Sequence, residues 1–281
     1  MAPEKPPFDL EQADALLTTT RAVRRRLDLD RPVQRKIIEQ CYFNGWGYRV
    51  SSNLFPLLTY DVAELKLEDY PDYADIMATL ADCAYIIKSK GVRVSCHPDQ
   101  FNVLASEGKP QVDKTIKELN HHGWLMDMLG APRDYRAPIN IHVNNTKGDP
   151  ADIAARFMSN LAKCNPHVQS RLVVENEDKG IWTPKLLSQH FDIPITYDNL
   201  HHKCLPDGLT QSQAYDLCYR TWHVGENDLR QITPVFHYSE SHPDKSNLIV
   251  CERRGHERRR SYPHRSFRPC RAAVVVRNSV S

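Results

Sequence analysis

The stretch Val92-Arg93-Val94-Ser95-Cys96-His97-Pro98-Asp99-Gln100-Phe101 decides the fold. Val92, Val94 and Cys96 alternate with Arg93 and Ser95, the period-two pattern of a strand. Pro98 has no N–H for a ladder and Asp99 favours a turn, so the strand stops there. His97 thus stands at the C-terminal tip of a strand, with Gln100 and Phe101 on the loop beyond it. The arrangement recurs four times. Residues 139–145 (INIHVNN) run into His142, 172–178 (LVVENED) into Glu175, 195–202 (ITYDNLHH) into Asp198 and His201, and 235–240 (VFHYSE) into His237. A lone histidine at a strand end is most often a satisfied core side chain. Five successive strand tips with metal-type ligands are hard to obtain from packing alone.

A helical pattern over residues 73–89 precedes the first tip, others over 111–129, 149–164, 184–191 and 210–222 lie between the tips, and Asp149-Pro150 forms a cap and first residue. A further helix over 33–44 ends at Gly45 and Gly47 and precedes a first strand at 48–52 (YRVSS). Strands spaced by helices imply βαβ units and a parallel sheet, and polar residues at the strand C-termini suggest a (β/α)8 TIM-barrel-like fold with its site on that face. An open doubly wound sheet is the alternative. No glycine-rich phosphate loop follows any strand, so no nucleotide cofactor is expected.

The 281 residues, 26% of them charged, suit one soluble domain. No apolar run approaches the ~18 residues of a membrane helix, so no membrane is expected as a partner. The start (MAPEKPPFDLEQAD) is acidic and proline-rich, unlike a signal peptide. Eight cysteines form no C-x-x-C pair and most lie in apolar runs, which reads as buried, reduced thiols in a cytoplasmic protein. The net charge of +2 is compatible with nucleic acid without demanding it. Residues 21–36 carry seven basic and two acidic side chains. They form either a solvated helix face or an edge that contacts phosphates.

His97, His142, Glu175, Asp198, His201 and His237 are the candidate ligands. Mixed imidazole and carboxylate donors suit Zn²⁺, Mn²⁺ or Fe²⁺. Six exceed the needs of one ion, so a cluster of two to three is expected, with Glu175 able to bridge. Glu175, Asp198 and His201 are the residues expected to carry catalysis by positioning ions for in-line displacement at phosphorus. His202, Asn176, Glu177 and Glu240 are candidates for orienting these ligands. A glutamine beside an aromatic on such a loop, as Gln100 and Phe101 are, could wedge into a duplex. A loop Phe packed on the barrel rim is the commoner arrangement.

The motifs Tyr48-Arg49-Val50-Ser51-Ser52-Asn53-Leu54-Phe55-Pro56, His97-Pro98-Asp99-Gln100-Phe101, Ile141-His142-Val143, Glu175-Asn176-Glu177-Asp178, Asp198-Asn199-Leu200-His201-His202 and Phe236-His237-Tyr238-Ser239-Glu240 resemble the UV damage endonuclease family in order and spacing. The resemblance implies a TIM-barrel nuclease with a divalent cluster, usually manganese. It implies a nick on the 5′ side of UV photoproducts in double-stranded DNA, which begins excision repair. The six candidate ligands match the family's metal ligands, and Gln100 and Phe101 match the residues that probe the damaged pair.

The chain departs from that pattern in places. No strand bearing Gly and Tyr is recognisable before Thr18, a family histidine appears as Tyr60, and a position that is a modified lysine in some members is Val235. From Leu248 to Ser281 there are nine arginines, no lysine and two acids. The expected organisation is therefore a leader and basic helical segment at 1–47, a barrel core at 48–247 incomplete at its first and last strands, and an arginine-rich, loosely packed, non-family tail at 248–281. Two other functions remain open at this point: a sugar-phosphate isomerase on a similar barrel, and a damaged-DNA binder that has lost cleavage.

Overall fold

A computed structural model of the chain describes residues 31–52, 54–55, 58–59, 66–223 and 232–238. Tyr60, Glu240, residues 1–30 of the leader and basic segment expected at 1–47, and the tail at 248–281 lie outside the described residues.

Six parallel strands form one sheet in chain order: β1 (Tyr48–Val50), β2 (Val94–Cys96), β3 (Ile139–Ile141), β4 (Leu172–Glu175), β5 (Ile195–Asp198) and β6 (Phe236–His237). The sheet curls into half of a barrel, the TIM-barrel-like architecture that the strand and helix alternation implied. Helices connect the strands: α1 (Arg31–Phe43), α2 (Tyr73–Lys90), α3 (Lys109–Met128), α4 (Pro150–Leu161), α5 (Pro166–Gln169), α6 (Pro184–His190), α7 (Asn199–Cys204) and α8 (Gln211–Thr221). Their ends follow from local chemistry. The Asp149 side chain accepts from the Ala151 amide ahead of Pro150, and Thr183 accepts from the Leu186 amide. Gly91 closes α2 in the left-handed region at φ 65°, where its amide reaches the Ile87 carbonyl.

Two short helices depart from the sequence reading. The apolar run at 195–202 becomes helical from Asn199, because Asp198 Oδ1 accepts from the amides of Leu200 at 2.7 Å and His201 at 2.9 Å. A strand tip that caps a helix cannot continue as a strand. The four-residue helix α5, at Pro166–Gln169, is too short to show a periodic apolar face.

β3, β4 and β5 are buried at every position, which explains their continuous apolar character. Arg171, just before β4, has no exposed surface. Its guanidinium pairs with Asp127 Oδ1 at 2.8 Å and donates to the carbonyls of Pro132 and Ala131, which pins the end of α3 beneath the sheet. Parallel pairing then sets every strand C-terminus on one edge: Val50 lies opposite Cys96, and Asp198 opposite His237.

Gly123, inside α3, tests packing against propensity. An added Cβ would lie 2.3 Å from His167 Cδ2 and 2.8 Å from Val168 Cγ2. Helix propensity alone predicts that Gly123→Ala stabilises by about 1 kcal/mol. The close contact with α5 predicts the opposite, a loss of about 1–3 kcal/mol. A urea melt of the variant decides between them.

Candidate metal centre

The parallel register gathers the predicted ligands around one side chain, Glu175, whose residue is 1% exposed at the tip of β4. His97 follows β2, His142 follows β3, Asp198 ends β5 and His237 ends β6. Around Glu175 Oε2 lie His97 Nε2 at 3.0 Å, His237 Nδ1 at 3.0 Å and His142 Nε2 at 3.9 Å. His201 Nδ1 lies 3.3 Å from Oε1. Two groups could each hold an ion, His97–His142–Glu175 and Glu175–Asp198–His237, the atoms within each lying within 4.8 Å of one another. Glu175 belongs to both, as a bridging carboxylate would.

Proton placement shows what the cluster can hold. His97 Nδ1 lies 3.0 Å from the Pro98 carbonyl, which can only accept, so this nitrogen carries the proton. Nε2 then faces a carboxylate oxygen. Two acceptors at 3.0 Å require a positive species between them, either a proton or a metal ion. His201 repeats the pattern. Its Nδ1 donates to the Asn176 carbonyl at 2.7 Å, leaving Nε2 toward Asp198 Oδ2 at 3.9 Å. His142 Nδ1 is buried without a hydrogen-bond partner. The donor set therefore fits divalent ions of the zinc, manganese and iron class.

The electrostatics agree. Burial alone would raise the Glu175 carboxyl, but the imidazoles of His237 and His142 outweigh it and hold it well below the usual carboxylate range. Burial lowers His142 to about 4 against the pull of Glu175, toward the neutral form that ligates.

The supporting residues divide. Asn176 locks the tips of β4 and β5 together: its Oδ1 accepts from the Asp198 amide at 2.8 Å and its Nδ2 donates to the Asp198 carbonyl at 3.1 Å. Asp198 Oδ1 is spent on the cap of α7, which leaves Oδ2 for the cluster. Glu177 accepts from the Asn144 amide at 2.7 Å, and burial pushes its carboxyl up to about 7 despite that bond. His202 lies apart from both ligand groups, between the Tyr197 hydroxyl at 3.2 Å and Asp207 Oδ1 at 3.1 Å. Val235 is buried with Val173, Trp222 and Ile232 and offers no ligand atom. Gln100 and Phe101 lie past His97 on an exposed stretch, with Phe101 69% exposed.

Asn140 is a supporting residue that the sequence reading missed. It is buried in the middle of β3 and donates from Nδ2 to Glu175 Oε2. The signal was present: an amide between Ile139 and Ile141, in a strand buried on both faces, must find a polar partner.

A family model described as UV-endonuclease UvdE matches residues 33–277, and so runs past Asn247. The chain belongs to this family. It is similar to a "UV DNA damage endonuclease" of Clostridium perfringens, 27% identical over 210 residues, 73% of this chain and 48% of that protein. It is similar to another of that name from Bacillus cereus, 28% identical over 229 residues, 72% of this chain and 69% of that protein. The chain thus spans about half the length of the first relative and about two thirds of the second. A crystal structure titled SacUVDE superposes with a TM-score of 0.66 at 27% identity, covering 85% of this chain and 76% of that one.

Replacing Glu175 with Gln keeps the shape and removes the charge that both ligand groups share. Elemental analysis after dialysis against Mn²⁺ should show fewer ions per chain. Affinity should fall by more than about 100-fold, the upper end of the loss when only a supporting group is removed. Parental metal content in the variant would show that Glu175 is not the shared ligand.

Proposed function

We propose that the chain is a metal-dependent DNA repair endonuclease that nicks the backbone of damaged double-stranded DNA 5′ to UV photoproducts, a hydrolase acting on ester bonds. One observation carries the reading: a single buried carboxylate, Glu175, is shared by two ligand groups at the C-terminal edge of a parallel barrel sheet, beside a loop that holds Phe101 out to solvent. Membership of a family named for this activity agrees with it.

His97, His142 and Glu175 would hold one ion, and Glu175, Asp198 and His237 another, with His201 alongside; manganese is the ion that the resemblance favours, and Zn²⁺ or Fe²⁺ suit the same donors. Divalent ions bound there supply Lewis acidity toward a phosphodiester. The chain's own residues do the rest. Pro98 and Asn176 carbonyls fix the tautomers of His97 and His201. Asn140 donates to the Glu175 carboxylate, and Asn176 clamps the Asp198 backbone. Gln100 and Phe101 would probe the damaged pair, where stacking is worth about 1–3 kcal/mol per base.

A cytoplasmic location fits the buried thiols of Cys41, Cys83, Cys96, Cys164 and Cys218, and the described helices, none of which is long and apolar enough to cross a membrane.

Val235 favours a second reading, a damaged-DNA binder with impaired cleavage, because a buried apolar side chain stands where the resemblance implies a modified lysine in some members. A nicking assay on UV-irradiated supercoiled plasmid separates the two. With Mn²⁺ the chain should relax irradiated plasmid and spare unirradiated plasmid. EDTA, Glu175→Gln and Asp198→Asn should each reduce the rate by about 100-fold or more. Tight binding to irradiated DNA without nicking would support the binder, and nicking indifferent to EDTA would refute the metal reading.

A further inference from the structure

Among the described residues, Asn144 is the one non-glycine with positive φ, at 54°. Asparagine tolerates the left-handed region, but such a conformation persists only where the surroundings over-determine it. Here they do. The Asn144 backbone amide donates to Glu177 Oε1 at 2.7 Å, and its side-chain Nδ2 donates to the Gln100 carbonyl at 2.9 Å. One residue, two positions past the ligand His142, thus joins the loop after β4 to the loop after β2.

The loop after β2 is tied down along its length. The Asp99 carbonyl accepts from both the backbone amide and Nδ2 of Asn102. The Phe101 carbonyl accepts from Gln111 Nε2 at 3.0 Å, and the Val103 amide donates to Thr115. The Leu104 carbonyl accepts from Asn160, and that of Ala105 from Asn145 and Arg156. α3, α4 and Asn145 therefore hold the far part of this loop to the barrel wall, and the Asn145 carbonyl accepts in turn from Trp182 Nε1 at 2.6 Å. Asn144 differs from them in tying the loop at Gln100, next to Phe101, directly to Glu177, two residues past Glu175. A probe that must meet a distorted base pair at a fixed offset from the scissile phosphate needs such a link, because small errors in placement are expensive in rate and in discrimination.

We propose that Asn144 is a positioning residue for damage discrimination, setting the Gln100–Phe101 loop in register with the Glu175 tip. The inference rests on the reading that Gln100 and Phe101 meet DNA, and the test separates the two. Asn144→Gly is the decisive variant. Glycine accepts positive φ freely and keeps the backbone amide for Glu177, so only the bond to the Gln100 carbonyl is lost. Asn144→Asp serves as a second variant, keeping the size while replacing the donor by an acceptor.

The measured quantity is the ratio of affinities for an irradiated and an unirradiated oligonucleotide duplex, taken in EDTA so that no cleavage intervenes. Thermal melting and Mn²⁺ content are measured alongside. Asn144→Gly and Asn144→Asp should each lower the ratio by about three- to tenfold, the equivalent of one hydrogen bond, with melting and metal content at parental values. The double variant with Phe101→Ala should be no worse than Phe101→Ala alone, since both changes disable one device. If Phe101→Ala lowers the ratio and both Asn144 variants leave it unchanged, or if their effects simply add to it, the positioning role is overturned. A fall accompanied by lost melting temperature or metal overturns it as well, in favour of a structural role. If Phe101→Ala itself leaves the ratio unchanged, the probing reading fails and the inference falls with it.

Discussion

An imidazole nitrogen held against a carboxylate is the constraint on which this structure turns. His97 donates from Nδ1 to the Pro98 carbonyl, and its other nitrogen sits 3.0 Å from Glu175 Oε2 in a buried site. Such a contact is repulsive unless a positive species lies between. The rest of the site makes sense as the means of holding these acceptors together. Parallel register delivers one ligand from each tip of β2 to β6, the Asp198 cap fixes which oxygen faces inward, and Asn176 clamps the two tips that carry the carboxylates.

The strands behind this polar edge are apolar. β3, β4 and β5 bury every residue, and beneath them Arg171 satisfies its guanidinium with Asp127 and four carbonyls. Chemistry and stability occupy opposite ends of the strands, the usual division of labour in a barrel.

Much of this was legible in the sequence, because a strand that ends in a ligand carries two signals at once: an apolar run and a polar stop. His97, His142, Glu175, Asp198 and His237 all read that way, and all converge. The pair His201 and His202 was harder. Asp198 caps a helix there, and successive helical residues point about 100° apart. One histidine therefore faces the carboxylates and its neighbour faces Tyr197 and Asp207. The amide residues were harder still. Asn140 and Asn144 are common residue types whose roles depend on contacts 35, 33 and 44 positions away, and nothing in local spacing announces them.

Anomalous diffraction from crystals of the chain grown with Mn²⁺ tests the central claim most directly. The account predicts two peaks about 3.5–4 Å apart on either side of the Glu175 carboxylate, one against His97 and His142 and the other against Asp198 and His237. Density without an anomalous peak at Glu175, with the His97 ring flipped so that an N–H bonds the carboxylate directly, would contradict it.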